Sequence, residues 1–182
     1  MERYQIIFAY DGTDFLGSQR QASVVPGRSR GARTVQGELE KALQKIGWHG
    51  KTVLLAGRTD TGTHATGQVA SFDLDWPHTP GELVNALNAN LPSDMAVRMV
   101  RLVPDDFHPR YDAASRSYRY RLFCQQIRDP LRERYAWRVW PPITELSPLA
   151  DIWLGTHDFA AFGTPPRPNG STVRTVMDAS WH

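Results

Sequence analysis

The residues most able to do chemistry stand together at Ala56-Gly57-Arg58-Thr59-Asp60-Thr61-Gly62-Thr63-His64. Two glycines bracket an arginine and an aspartate directly after an apolar run ending at Leu55. Asp60 is therefore displayed on a tight connection at a strand end, where active-site residues commonly sit. The same residues also suit an ordinary turn, in which Asp60 bonds its own backbone and Arg58 solvates it.

Of two protease readings of this segment, one is weakened and the other excluded by its own chemistry. Asp60-Thr61-Gly62 is the catalytic tripeptide of aspartic proteases, which need two carboxylates sharing one proton. Here Arg58-Thr59 replaces the apolar residues that precede such an aspartate, and a cation so close works against proton sharing. Peptide cleavage at acid pH is the assay for that reading. Gly62-Thr63-His64-Ala65 is similar to the histidine segment of subtilisin-like proteases. That triad also needs an aspartate from a separate strand and a nucleophilic serine in a Gly-Thr-Ser context, and neither is present. His64 reads as a structural residue of the turn rather than a proton carrier.

Composition narrows the partner. Of 21 basic residues 18 are Arg and 3 are Lys, although the net charge is only +2. Arg is the forked, weakly hydrated cation suited to phosphates and flat bases, so the excess points to nucleic acid. Ten of the arginines lie between Arg98 and Arg138, against five acidic residues. Cys124 is the only cysteine, which excludes an internal disulfide framework and a multi-thiolate metal site and suits a reducing compartment. No apolar run approaches the ~18 residues of a membrane span, and residues 1–4 lead into a strand without a signal-peptide core. The expectation is a soluble, cytoplasmic protein of one domain or two small ones.

The elements that must position the loop follow from periodicity. Arg3–Tyr10 reads as a strand closed by the Asp11-Gly12 turn, and residues 21–33 as an exposed, solvated basic loop. Val35, Leu39, Ala42, Leu43 and Ile46 follow helical spacing, with Thr34 as N-cap and Gly47 as the stop. Strands are expected over Lys51–Ala56 and Gln68–Leu74. Thr79-Pro80-Gly81-Glu82 forms a capping box with Pro at the first helical position, ahead of Leu83, Val84, Leu87 and Leu91. Met95–Val103 is then a strand with Met95, Val97 and Met99 on one face and Arg98 on the other.

The order strand, helix, strand, strand, helix, strand over residues 1–104 is the α+β, ferredoxin-like (RRM-like) split βαββαβ module, with one sheet face open for a partner. Residues 105–182 read as a second, incomplete α+β module: strands over 118–124, 135–139 and 171–181, and a helix opened by Ser147-Pro148, running through Ile152 and Leu154 to Gly155.

Longer motifs now add to the residue-level reading. Tyr10-Asp11-Gly12-Thr13 with Gly17 and Gln19, Arg33-Thr34-Val35-Gln36-Gly37-Glu38-Leu39, the Ala56–Ala65 loop and Gly67-Gln68-Val69 come in that order. Asn88-Ala89-Asn90-Leu91-Pro92, Asp105-Asp106-Phe107-His108-Pro109-Arg110 and Ala114-Ser115-Arg116-Ser117-Tyr118-Arg119-Tyr120 follow. Together they resemble the tRNA pseudouridine synthase A family, nearly continuously from Arg3 to Tyr120 and more thinly to His182. The resemblance implies the pseudouridine synthase fold, a homodimer, and isomerisation of uridine to pseudouridine in the anticodon stem-loop of tRNA without cofactor or metal. It further implies that Asp60 is the catalytic carboxylate, that Arg58 supports the flipped-out base and that Tyr118 stacks on the uracil. Arg110, Arg116, Arg119 and Arg121 would contact the RNA, with phosphate contacts positioning it and shape selecting it.

The departures are specific. Ser18 stands where the family usually has Trp, Thr61 where it has Ala and Thr63 where it has Val. The family continues past the position of His182 into a stretch whose arginine pairs with the catalytic aspartate. The alternative expectation is accordingly an RNA-binding protein of the same fold with impaired catalysis.

Overall fold

The computed structural model describes residues 1–20, 33–142, 146–163 and 170–181. The chain divides into two compact units, Met1–Ser117 and Tyr118–His182, so the segment from residue 105 to Ser117 clusters with the first. The protein is of mixed α+β class. The expected basic loop lies outside the described residues except for Arg33. That arginine grips both carboxylate oxygens of Asp94 at 2.6 and 2.8 Å while lying 4.1 Å over the ring of Phe15.

The first unit runs β1 (Glu2–Tyr10), α1 (Val35–Lys45), β2 (Leu54–Leu55), β3 (Ala65–Leu74), α2 (Pro80–Asn90) and β4 (Met95–Leu102). Its strands form one antiparallel sheet in the order β2-β3-β1-β4. Alternation in β1 puts Tyr4, Ile6, Phe8 and Tyr10 into the core beside Ala70, Phe72 and Leu74 of β3. The helices supply Val35, Leu39 and Leu43, and Leu83 and Leu87. Both predicted caps form. Thr34 Oγ1 accepts the Gly37 N–H at 3.2 Å, and Thr79 and Glu82 exchange the two bonds of a capping box.

Two expectations for this unit are corrected. The strand over Lys51–Ala56 contracts to Leu54–Leu55 because the polar groups just before it are already committed. The Val53 N–H donates to Glu40 Oε1 at 3.1 Å, and Thr52 Oγ1 is drawn into the same buried group with Gln36 and Glu40. In β4 the register shifts: Phe8 pairs with Val97 and Ile7 with Met99, so Arg98 is an extra residue. A bulge reverses the alternation beyond it, sending Met99 to solvent at 50% exposure and Val100 into the core.

The second unit is built from short pieces: β5 (Leu122–Cys124), α3 (Pro130–Glu133), β6 (Trp137–Val139), α4 (Ser147–Asp151), β7 (Gly155–Asp158) and β8 (Val173–Val176). β5 pairs with β6 in parallel, and β7 with β8 antiparallel. The strands expected over 118–124, 135–139 and 171–181 are thus shortened to Leu122–Cys124, Trp137–Val139 and Val173–Val176, and the helix expected to reach Leu154 stops at Asp151. Alternation orders a strand only when one face has a core to enter. Among the described residues of this unit the buried hydrophobics are Phe123 and Ala150. Tyr118 and Tyr120 accordingly stand 76% and 85% exposed outside any strand.

Candidate active site

The Asp60 loop joins β2 to β3, and its first two residues are tied to β3. The Ala56 N–H donates to the Val69 carbonyl at 2.9 Å, and the amide of Gln68 donates to the Gly57 carbonyl at 3.1 Å. Within the loop the Thr63 N–H closes a turn on the Asp60 carbonyl at 3.1 Å, with Gly62 at φ +79°. That left-handed backbone is easy for glycine and costly for residues with a Cβ.

Two other glycines let neighbouring backbone press against the loop. A Cβ on Gly12, in the turn after β1, would lie 2.0 Å from the Thr63 carbonyl oxygen. Gly17, at φ +88°, would place one 3.0 Å from the Thr59 carbonyl oxygen. The chain after β1 therefore passes directly under the loop. Phe15, buried in the core, accepts the Gly62 N–H through its carbonyl at 3.3 Å.

Thr59, between the two candidate functional residues, is held from three sides. Ser18 Oγ accepts its N–H at 2.7 Å, its carbonyl accepts the Ser18 N–H at 3.0 Å, and its Oγ1 lies 2.7 Å from the Tyr10 hydroxyl. Ser18 is fully buried, and its own carbonyl accepts the Gln36 N–H of α1 at 2.9 Å. Nothing in the separate motifs signalled this tether, because Ser18 and Tyr10 meet Thr59 across 41 and 49 residues.

On either side of Thr59 the side chains of Arg58 and Asp60 are exposed. Residues 16–20 form one wall and residues 58–61 the other of an open cleft of about 320 Å³. Arg20 on the first wall donates to Glu40 Oε2 at 2.8 Å, and Glu40 itself is buried. Among the described residues, no hydrogen bond or ion pair engages the Asp60 carboxylate or the Arg58 guanidinium.

The remaining predicted residues are distributed unevenly. Arg116 donates to the carbonyls of Ala56 and Arg110, both at 3.0 Å, so it braces the base of the loop. Arg110 is exposed in the same unit. Tyr118, Arg119 and Arg121 are exposed and belong to the second unit. His64 Nδ1 accepts the Gly12 N–H at 3.0 Å and lies 3.0 Å from Asp11 Oδ1, a position that ties the loop to the turn after β1. Of the ten arginines between residues 98 and 138, Arg128 and Arg138 are paired with Glu133 and Arg132 lies over Phe123.

An antiparallel α+β unit that displays an aspartate and an arginine on a glycine-framed loop is the setting in which the motifs now find their match. The family described as tRNA pseudouridine synthase matches residues 6–112, and the chain belongs to it. It is 41% identical to tRNA pseudouridine synthase A of Fervidobacterium nodosum, over 97% of this chain and 70% of that protein. The enzyme of the same name from Pseudothermotoga lettingae is 40% identical over 97% of this chain and 69% of its own length. That from Chloroflexus aurantiacus is 40% identical over 97% of this chain and 61% of its own length.

Proposed function

We propose that the Asp60 loop is the catalytic centre of an enzyme that isomerises uridine to pseudouridine in the anticodon stem-loop of tRNA. As a member of its family the chain is an isomerase. The reaction breaks the N1–C1′ bond, turns the uracil and joins C5 to C1′; C5 gives up a proton, N1 gains one, and the mass of the RNA is unchanged. It needs a carboxylate within reach of the sugar or ring, and a pocket in which water does not intercept the detached base.

The observation that carries the reading is the exposure of Asp60 on a loop whose neighbouring residue is tied down at three points, leaving the carboxylate available to a ligand. Arg58 is the planar cation that supports the flipped nucleotide, by stacking or by binding phosphate. Tyr118, exposed in the second unit, is the ring that stacks on the uracil; Arg110, Arg116, Arg119 and Arg121 contact the RNA backbone. The sheet order β2-β3-β1-β4 with α1 and α2 packed on one face supports reading the first unit as a ferredoxin-like, RRM-like module. In the same reading the enzyme is a cytoplasmic homodimer that uses no cofactor or metal. No helix among the described residues is long and apolar enough to cross a membrane.

The test is pseudouridine formation on tRNA, read by release of the uracil C5 hydrogen, for the wild type and for Asp60→Ala. We expect turnover by the wild type and none above background from Asp60→Ala, with tRNA binding retained by both. Equal product from the two would remove Asp60 from the chemistry, and tRNA binding without turnover by the wild type would favour a binding protein instead.

A further inference from the structure

Rotation of the peptides on either side of Thr59 would re-aim both Arg58 and Asp60, so whatever fixes Thr59 sets the geometry of both. Its backbone is held at both polar groups by one residue: Ser18 Oγ accepts the Thr59 N–H at 2.7 Å, and the Ser18 N–H donates to the Thr59 carbonyl at 3.0 Å. A loop residue bonded at only one of its two backbone polar groups can still pivot about that bond; with both bonded, the two peptides that flank it are each held. The Ser18 hydroxyl supplies one of the two, while the Ser18 carbonyl is directed to the Gln36 N–H.

Ser18 itself has little freedom. It is fully buried, it follows Gly17, which has φ +88° and on which a Cβ would lie 3.0 Å from the Thr59 carbonyl oxygen, and α1 holds its carbonyl. The Gln36 side chain beyond it donates to Glu40 Oε1 at 3.0 Å and accepts the Arg20 N–H at 3.0 Å, so the segment from residue 18 to Arg20 is anchored to the helix at both ends.

We propose that Ser18 is a positioning residue for the reaction: its buried hydroxyl, acting through the Thr59 peptide, holds the Asp60 carboxylate in its productive direction without touching the substrate. This rests on the assignment of Asp60 given above. A tether of this kind acts on the chemical step rather than on RNA affinity, since phosphate contacts made elsewhere dominate binding.

The experiment measures kcat and KM on tRNA, with tRNA Kd, for full-length Ser18→Ala, Ser18→Thr and Asp60→Ala, each assayed well below its own Tm. Ser18→Ala keeps a small apolar side chain but leaves the Thr59 N–H without its acceptor. We expect kcat to fall roughly 10- to 100-fold with KM and Kd within about 2-fold of wild type. Ser18→Thr retains the hydroxyl and should recover most of that loss. A folded Ser18→Ala enzyme with wild-type kcat overturns the proposal, and so does an equal loss in Ser18→Ala and Ser18→Thr, which would mark packing alone. If Ser18→Ala does not fold, Tyr10→Phe reads the same tether from the Thr59 side chain: a selective fall in kcat supports it and an unchanged kcat overturns it. Should Asp60→Ala turn over like wild type, the underlying assignment fails and the proposal with it; an inactive Asp60→Ala beside a fully active Ser18→Ala removes Ser18 only.

Discussion

The two units solve the problem of order differently. Residues 1–117 bury a continuous core in which Ile6, Phe8, Val35, Leu39, Leu43, Leu83 and Leu87 have essentially no exposure. Residues 118–182 bury little among the described residues and rely on surface contacts, such as Glu133 accepting from Arg128 and Arg138 and the stacking of Trp153 on Phe159. Exposed ion pairs contribute little to stability, while buried apolar area contributes a great deal. The comparison teaches where a precisely aimed side chain can be kept. The Asp60 loop is tied to β1, β3 and α1 or to the turns beside them, whereas Tyr118 lies in an irregular segment with its ring in solvent.

Truncating the core should break this contrast most strongly. Leu39→Ala, in α1 and fully buried, is expected to cost about 2–5 kcal/mol in denaturant unfolding. Next comes the contact between the turn after β1 and the site loop. Gly12→Ala would force a methyl group to within 2.0 Å of the Thr63 carbonyl oxygen, so one backbone segment must shift. The expected cost is about 1–3 kcal/mol, with a larger proportional loss of pseudouridine formation than of Tm.

A smaller effect separates the units by pH. Burial, aided by the hydrogen bond to Glu2, pushes the Tyr4 phenol up from 10.0 to about 12. The folded value exceeds the unfolded one, so the neutral phenol's contribution is complete below pH 10 and is lost as pH rises towards about 12. Tyr4→Phe should flatten the fall of stability across that window, measured by urea unfolding at stepped pH. Least of all should follow from Leu131→Ala, 85% exposed in the second unit: a change within about 0.5 kcal/mol, and a large one would show that the unit has a core of its own.

What was legible follows the range of the interactions. Thr34, Thr79, Pro80 and Glu82 announce α1 and α2 because caps are settled within one turn of helix. The glycine-bracketed loop was readable as a display site for the same reason. By contrast β2 is shorter than its apolar run predicts because Glu40, thirteen residues away, captures the Val53 N–H. Met99 faces solvent against its local alternation because of a bulge at Arg98 that no neighbouring residue marks. The alternation at Tyr118 and Tyr120 was genuine as a pattern but had no core to order it.

By itself, then, the sequence determined the helices and their caps, the inward register of β1, the Asp60 loop and the family, all written in short runs of adjacent residues. Tertiary structure alone decided that Ser18 and Tyr10 would close on Thr59, that Arg116 would brace the base of the loop and that Arg33 would be spent on Asp94. The reason is physical: caps and turns pair neighbours along the chain, while the direction of a catalytic side chain depends on hydrogen bonds between segments that only a packed core brings within 3 Å.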